Sequence, residues 1–153
     1  MIGEFERTKA EVVIAFQEVP AEEVVHYGIA EPRGQTRDVF ELETLVEKPG
    51  IDEAPSNLAV AARYVFSPAI FQFLDETRPG KGGEIQLTDA IRLLLKSGGK
   101  GIGIRLPPEE KRFAIGNFES YFRAFTEFAL SDQQCGPLLR EHVRGLLDSD
   151  GKV

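Results

Sequence analysis

Short apolar runs between turn residues predict that the first part of this chain is rich in strands. Residues 11–16 are apolar and β-branched and stop before Pro20, which is typical of a strand buried on both faces. Such a strand needs a neighbour on each side, so we expect a further strand upstream of this sequence. Residues 2–8 are predicted to be the last turns of a helix whose beginning also lies upstream.

Three further strands are predicted by apolar or alternating segments, at residues 39–47, 58–66 and 102–106. In the first of these, the alternation of Phe40 and Leu42 shifts phase at Leu45. A shift of one residue within a strand indicates a β-bulge. Residues 31–35 have the composition of a turn and precede this strand.

Helices are predicted where apolar residues recur at three- and four-residue spacing, over residues 68–76, 88–97, 118–128 and 137–147. Ser67 and Asn117 are the predicted N-caps of the first and third helices. Ile70, Phe71 and Leu74 are the predicted buried stripe of the first. Strands early and helices late predict an α/β fold with a mixed sheet covered by helices.

Length, composition and charge narrow the class of protein. A chain of 153 residues, 42% of them hydrophobic, suits one domain with a packed core. Its formal net charge of −7 excludes a generic nucleic-acid binder, which needs a basic surface. A single cysteine forms no internal disulfide and favours the cytoplasm, and no apolar run is long enough to predict a membrane partner.

The segment Glu47-Lys48-Pro49 carries the most interesting candidate chemistry. A carboxylate can accept hydrogen bonds from two sugar hydroxyls, and an ammonium is a point charge for phosphate. We expect Pro49 to keep Lys48 extended. Neighbouring side chains on a regular strand point to opposite faces, so the phase shift at Leu45 is what would let both face one ligand. On these residues alone, a solvated surface ion pair is the better interpretation.

Other candidate chemistry is weaker. The segment 79–83, Pro-Gly-Lys-Gly-Gly, departs from the phosphate-loop pattern and is better interpreted as a turn after a helix. His26 and His142 lack the spacing of metal ligands, so no metal ligand is predicted. The helix after Asn117 carries a phenylalanine stripe that we interpret as core or as an oligomer contact.

Five stretches, taken in order, carry a resemblance to a known family: Tyr27-Gly28 and residues 45–49, 54–59, 82–90 and 111–116. Over residues 5–130 the chain closely resembles the C-terminal half of the bacterial UTP–glucose-1-phosphate uridylyltransferases, which are sugar-phosphate nucleotidyltransferases. The resemblance implies a partial Rossmann-like nucleotidyltransferase fold, with a mixed sheet flanked by helices. It implies a sugar-phosphate-binding half over residues 1–130, followed by a C-terminal helix and tail over residues 131–153.

The resemblance also implies substrate-binding roles for six residues: Tyr27, Gly28, Glu47, Lys48, Val60 and Tyr64. The backbone of the first two lies against the sugar ring in that family, where a glycine permits close approach. The carboxylate binds sugar hydroxyls, the lysine binds phosphate, and the last two residues line the sugar pocket. No catalytic residue is assigned.

Two departures from the family pattern bear on activity. The family has an aspartate that helps to hold magnesium where this chain has Ala114, and it often has glycine where this chain has Ala62. Its glycine-rich nucleotide loop and its first metal-binding acid have no counterpart in this sequence. We therefore expect no cofactor in this chain, although a complete family member uses magnesium.

The resemblance implies nucleotidyl transfer from UTP to a sugar 1-phosphate, which gives a UDP-sugar and pyrophosphate. We expect this chain to be the truncated sugar-phosphate-binding half of such an enzyme and inactive alone. A non-catalytic module that binds a sugar nucleotide or a protein stays open, as does a purely structural product. The expected partners are a sugar 1-phosphate or UDP-sugar, a missing N-terminal half, and a second copy. The second copy would pair with the strand at residues 12–16 and with the phenylalanine stripe.

Overall fold

The computed structural model describes residues 1–80, 83–108, 110, 113 and 115–149, and the chain forms two units, residues 1–110 and 111–153. The first unit contains α1 (Ile2–Thr8), β1 (Val12–Glu18), a 3₁₀ helix (Ala21–His26), β2 (Gly28–Arg33), β3 (Val39–Glu47), a 3₁₀ helix (Ile51–Glu53), β4 (Leu58–Phe66), α2 (Ile70–Glu76), α3 (Leu87–Lys96) and β5 (Gly101–Arg105). The second contains α4 (Phe118–Ser131) and α5 (Gly136–Asp148). The boundary that we predict at residue 130 falls in the last turn of α4.

The five strands pair in a closed order, β1-β4-β2-β3-β5, with β5 returning to β1. β1 runs parallel to β5 and antiparallel to β4, and β3 is antiparallel to both β2 and β5. β2 and β4 meet where Ile29 pairs with Ala59. The mixed sheet that we predict is therefore confirmed, and its closure was not foreseen.

β1 is the most deeply buried strand, and its neighbours correct one prediction. Residues 12–16 are completely buried, as their apolar sequence predicts. The expectation that this strand lacks a neighbour is wrong, because β4 and β5 flank it. The sequence shows which strand is buried but not that the last strand returns beside it. An unpaired edge on β1 therefore gives no reason for self-association.

Helices cover both faces of the sheet. Ile91 and Leu94 of α3 pack with Ile14 and Phe16 of β1, whereas Phe5 of α1 lies in a separate cluster on the opposite face. α2 contributes Ile70 to the larger cluster and Leu74 to its margin. The prediction that Phe71 is buried is wrong, since it is 68% exposed.

The predicted bulge lies in β3. Glu31 pairs with Thr44 and Pro32 with Leu42, so Glu43 is the extra residue. The bulge is confirmed, two residues before the phase shift at Leu45 that reveals it. The turn predicted at residues 31–35 begins later, because the pairing with β3 extends β2 to Arg33.

A larger irregularity lies in β4. Ile14 pairs with Tyr64 and Phe16 with Val60, so residues 61–63 lie opposite Ala15 alone. Within this bulge Ala62 is exposed and has a φ of 53°. An alanine in the left-handed region costs about 1–2 kcal/mol, which glycine does not incur. This strain explains physically why a glycine suits the position.

We expect Ala62→Gly to raise the free energy of unfolding by about 0.5–1 kcal/mol, because relief of the left-handed strain outweighs the backbone entropy that glycine loses on folding. Urea denaturation measures the change. Ala61→Gly is the matched control, since Ala61 is buried and is not among the described residues with positive φ. Equal destabilisation by both substitutions would contradict the account of strain at Ala62.

The second unit carries an exposed aromatic face. Asn117 caps α4 as predicted, because its Oδ1 accepts a hydrogen bond from the Ser120 N–H at 2.8 Å. The stripe of this helix lies in solvent, with exposed fractions of 60–81% for Phe118, Phe122, Phe125 and Phe128. Its interpretation as core is therefore wrong. Across the described residues, no helix is both long and apolar enough to cross a bilayer.

Candidate functional site

The predicted site lies at the point where β2 begins and β3 ends. Gly28, the first residue of β2, pairs with Glu47, the last residue of β3. The start of β4 is tied to β2 by Ser56, whose hydroxyl donates to the Ala30 carbonyl at 2.7 Å and accepts from the Leu58 N–H at 3.1 Å. This tie belongs to the stretch 54–59 and brings the beginning of β4 beside Gly28.

Four side chains or backbone positions converge at this point. A Cβ placed on Gly28 would lie 3.2 Å from Glu47 Oε2, 3.4 Å from Thr88 Oγ1 and 3.4 Å from Val60 Cγ2. Contacts under 3.4 Å are tighter than most real Cβ contacts, so a side chain at this position would push the carboxylate aside. Glycine thus keeps the backbone open beside a carboxylate that is 22% exposed.

Lys48 turns the chain away from the strand. Its N–H donates to the Tyr27 carbonyl at 2.9 Å, and its φ is 46°. The prediction that Pro49 keeps Lys48 extended is wrong, because this hydrogen bond closes the β2–β3 ladder as the chain reverses. The irregularity at residues 47–48 is therefore the left-handed Lys48 itself and not the phase shift at Leu45. Lys48 Nζ lies 3.7 Å from Glu47 Oε1.

The two tyrosines of the predicted site occupy different surroundings. Tyr64 packs against the large core cluster and stacks on Phe66, with ring centroids 5.4 Å apart. The charge of Glu47 acts on its phenol. The ring of Tyr27 packs instead with the smaller cluster around Val24. The structure therefore brings Glu47 and Val60 to the same side of Gly28, while Tyr27 lies next to them through its backbone.

Burial raises the pKa of the Tyr64 phenol, and the negative charge of Glu47 raises it further. Both causes disfavour the phenolate. A folded-state pKa above the unfolded value means that the folded chain holds the proton more tightly. Stability is therefore unaffected below the unfolded pKa of about 10 and falls as pH rises above it, through the folded pKa.

We expect Tyr64→Phe to reduce this alkaline loss of stability. The measurement is the free energy of unfolding at about pH 8 and at about pH 10.5, on either side of the unfolded tyrosine pKa. The wild type should lose more stability over this interval than the variant. Tyr27 and Tyr121 are present in both proteins and serve as the internal control. Equal losses would contradict the raised pKa.

Thr88 is the site residue that sequence reasoning did not single out. It is the second residue of α3, and its hydroxyl donates to Glu47 Oε2 at 2.6 Å. The stretch 82–90 that carries part of the family resemblance includes it, which was the available signal. The contact joins residues 41 positions apart. Residues 81 and 82 of the preceding glycine-rich segment lie outside the described residues.

A cavity of about 520 Å³ lies elsewhere in the first unit, at the carboxyl ends of β1 and β5. Arg105 lies in its wall and pairs with Glu18 at 2.8 Å. Gln17 Oε1, also in this wall, is buried and has no hydrogen-bond partner among the described residues. The six predicted residues do not line this cavity, so the cavity and the candidate site are distinct.

Magnesium is not matched by the donors that the structure describes. Among the described residues, no three His, Cys, Asp or Glu side chains are grouped to hold a metal ion. Ala114, where the resembling enzymes have a magnesium-binding aspartate, lies outside the described residues. No step through a metal is therefore assigned to this chain.

Known proteins with similar sequences are enzymes about twice as long. The UTP–glucose-1-phosphate uridylyltransferase of Pseudomonas aeruginosa is 45% identical over 112 residues, which are 73% of this chain and 39% of that enzyme. The enzyme of the same name from Bacillus subtilis is 37% identical over 150 residues, or 98% of this chain and 50% of that enzyme. The chain thus spans about half the length of the relatives it matches.

Solved structures that are similar to this chain are also UDP-glucose pyrophosphorylases, and the chain again covers about half of each. The crystal structure of a UDP-glucose pyrophosphorylase complexed with UDP-glucose matches 82% of this chain and 46% of its own, with a TM-score of 0.73 and 37% identity. The UTP-bound UGPase from Acinetobacter baumannii matches 95% of this chain and 49% of its own, with a TM-score of 0.81 and 30% identity. The predicted nucleotidyltransferase fold is confirmed.

The match to a protein family covers most of the chain. The family described as Nucleotidyl transferase matches residues 1–130. This range contains all five strands and every residue of the candidate site. The chain therefore belongs to the nucleotidyl transferase family and corresponds to about half of a UTP–glucose-1-phosphate uridylyltransferase.

Proposed function

We propose that this chain is the sugar-phosphate-binding part of a UTP–glucose-1-phosphate uridylyltransferase-like protein. Glu47 accepts hydrogen bonds from sugar hydroxyls, Lys48 binds phosphate, and the backbone of Tyr27-Gly28 lies against the sugar ring. Val60 and Tyr64 line the pocket. The observation that carries this proposal is the convergence of Glu47, Val60 and Thr88 on the side of Gly28 where a side chain would not fit.

The chemistry of the two charged groups supports the assignment. A carboxylate accepts only, and it suits vicinal hydroxyls, which donate. Lys48 is 46% exposed and Glu47 is 22% exposed, so both can reach a ligand without first being unburied. The backbone at Lys48 is in the left-handed region, and such strain is tolerated where the surrounding structure holds it and is frequent at functional sites.

The reaction proposed for the complete protein is nucleotidyl transfer. The phosphate oxygen of a sugar 1-phosphate attacks the α-phosphorus of UTP, the bond to the β-phosphate oxygen breaks, and pyrophosphate leaves. The products are a UDP-sugar and pyrophosphate. This chain would hold the sugar 1-phosphate, and the nucleotide-binding half of the complete protein would hold UTP. Catalysis of this kind depends mainly on positioning and on neutralising charge.

A non-catalytic binding module is the second candidate. The observation that favours it is Ala114 within the stretch 111–116, because a methyl group cannot ligate a metal. Such a module would bind the UDP-sugar without turning it over. The absence or presence of turnover on mixing with a nucleotide half separates the two candidates.

Self-association of the chain is a further part of the proposal. A second copy is proposed to dock on the phenylalanine stripe of α4, since the edge of β1 is already paired. Sedimentation at high concentration tests this, and a clean monomer would count against it.

The cytoplasm is proposed because the one cysteine, Cys135, is exposed and free.

Calorimetric titration with UDP-glucose, in the presence and absence of magnesium, tests the proposed function. Saturable binding of one ligand per chain is expected, and glucose 1-phosphate should compete for the same site. UDP alone should bind much more weakly than UDP-glucose, because the proposed contacts are with the sugar and its phosphate. Equal affinity for UDP and UDP-glucose would contradict the assignment.

A further inference from the structure

The Glu47 carboxylate is held from one side by α3. The hydroxyl of Thr88 donates to Glu47 Oε2 at 2.6 Å, which is within the range of a hydrogen bond to an ionised acceptor. Thr88 and Glu47 are both partly buried. The same oxygen is the one nearest to the open side of Gly28.

The other oxygen of the same carboxylate faces a lysine at a longer distance. Lys48 Nζ lies 3.7 Å from Glu47 Oε1, whereas a charge-assisted hydrogen bond between such groups is about 2.7–2.9 Å long. These groups belong to adjacent residues at a chain reversal, and Lys48 has a flexible, partly exposed side chain. Lys48 and Glu47 therefore form an ion pair that is longer than a hydrogen bond, although a shorter one is within reach.

The Thr88 hydroxyl restrains the carboxylate that Lys48 faces. One carboxylate cannot turn fully toward Lys48 and keep a 2.6 Å bond to a threonine fixed on the first turn of a helix. The next residue, Asp89, is itself held by Arg92 at 3.2 Å on the same helix. Its ionised carboxylate only accepts hydrogen bonds, so it cannot replace Thr88 as a donor to Glu47.

We propose that Thr88 is a positioning residue that keeps the Glu47 carboxylate beside Gly28 and limits its pairing with the Lys48 ammonium to a long contact. The acceptor for sugar hydroxyls and the cation for phosphate then remain separately available. Without the hydroxyl, the long ion pair shortens to a charge-assisted hydrogen bond that occupies both groups. The part that concerns the ligand rests on the proposed function, and the part that concerns the separated charges does not.

Titration of UDP-glucose into five proteins tests the proposal: wild type, Thr88→Val, Thr88→Ser, Lys48→Met and the double variant Thr88→Val/Lys48→Met. Thr88→Val removes the donor at nearly constant shape and should weaken binding about tenfold, the effect of losing one hydrogen bond to a charged group. Thr88→Ser keeps the hydroxyl and should stay within roughly twofold of wild type. Equal affinity of wild type and Thr88→Val would overturn the proposal.

The double variant distinguishes positioning from an independent contact. In the Lys48→Met background no ammonium can capture the carboxylate, so adding Thr88→Val should weaken binding by less than about threefold. The same tenfold loss in both backgrounds would overturn the proposal. Thermal unfolding of each variant verifies that the compared proteins are folded.

A measurement without ligand keeps this test independent of the proposed function. The phenol of Tyr64 senses the charge of Glu47, so its absorbance titration reports where that charge lies. Capture of the carboxylate by Lys48 in Thr88→Val should lower the pKa of Tyr64, in the same direction as Glu47→Gln, while Thr88→Ser leaves it unchanged. If wild type binds no UDP-glucose, the proposed function fails. An unmoved Tyr64 pKa in Thr88→Val overturns the role of Thr88.

Discussion

The purified 153-residue chain, supplied with UTP, glucose 1-phosphate and magnesium, is expected to release no pyrophosphate above the protein-free rate. The relatives that carry this activity by name are about twice as long, and the chain matches 39–50% of two of them. Holding two reactants in attack geometry can contribute about 7–11 kcal/mol, which needs both binding sites on one scaffold. Loss of that contribution alone lowers the rate by many powers of ten.

Electrostatics also lowers the expected rate of pyrophosphate release by the isolated chain. The charge that develops on the α-phosphate needs a metal ion or fixed cations, and position 114 carries alanine in place of the family's aspartate. The net charge of −7 also repels a triphosphate. Ala114→Asp should therefore raise magnesium affinity without restoring turnover in the isolated chain.

The assay compares the wild-type chain with Ala114→Asp, each alone and mixed with the remaining half of the Bacillus subtilis relative expressed separately. Activity only after mixing would support a half-enzyme. Inactivity in every mixture, with UDP-glucose binding retained, would support the non-catalytic module. Magnesium-dependent release by the lone wild-type chain, surviving repurification, would contradict both the half-enzyme and the non-catalytic module.

Lys48→Gly is expected to change binding and stability in opposite directions. Removal of the ammonium should weaken UDP-glucose binding by about 10- to 100-fold, the effect of losing a charged hydrogen bond to phosphate. The same substitution relieves a φ of 46°, so the free energy of unfolding should rise by up to about 1 kcal/mol. A residue kept only for stability would not behave in this way.

Lys9→Gly is the matched control for this prediction. Lys9 is an exposed lysine with a φ of 53° at the end of α1, and the substitution removes the same charge. It should raise stability to a similar extent and leave UDP-glucose binding unchanged. Similar losses of affinity in both variants would show that the effect of Lys48 is one of net charge and not of contact.

The limits of several elements were predictable from local sequence, although β2 was not predicted as a strand and the N-cap predicted at Ser67 is wrong, because α2 begins after Ala69. The predicted strands at residues 39–47 and 58–66 agree with the structure, as does the cap at Asn117. Alternation, apolar runs and caps are set by neighbours within a few residues, and these are visible in the chain. The bulge at Glu43 was visible for the same reason, because an extra residue shifts every later side chain to the other face.

The candidate site was predictable only as a set of residue types. The stretches around Gly28 and Glu47 carry the family resemblance. From them, a carboxylate, a lysine and a glycine were predicted to belong to the site. The left-handed Lys48 was not predictable from Pro49, because the long-range ladder between β2 and β3 determines where the chain reverses. The extended backbone that a residue before proline prefers is overridden at Lys48 by the pairing of β2 with β3.

The sequence by itself determined that residues 12–16 are buried and which residues carry charge and hydroxyl groups, but it did not determine that the phenylalanine stripe is exposed. Only the tertiary structure decided that β5 returns beside β1 and that Thr88 reaches Glu47 across 41 positions. Burial follows from apolar area, which each residue carries with it. Contacts between distant residues follow from how strands close and helices pack over them, and that arrangement is a property of the whole chain.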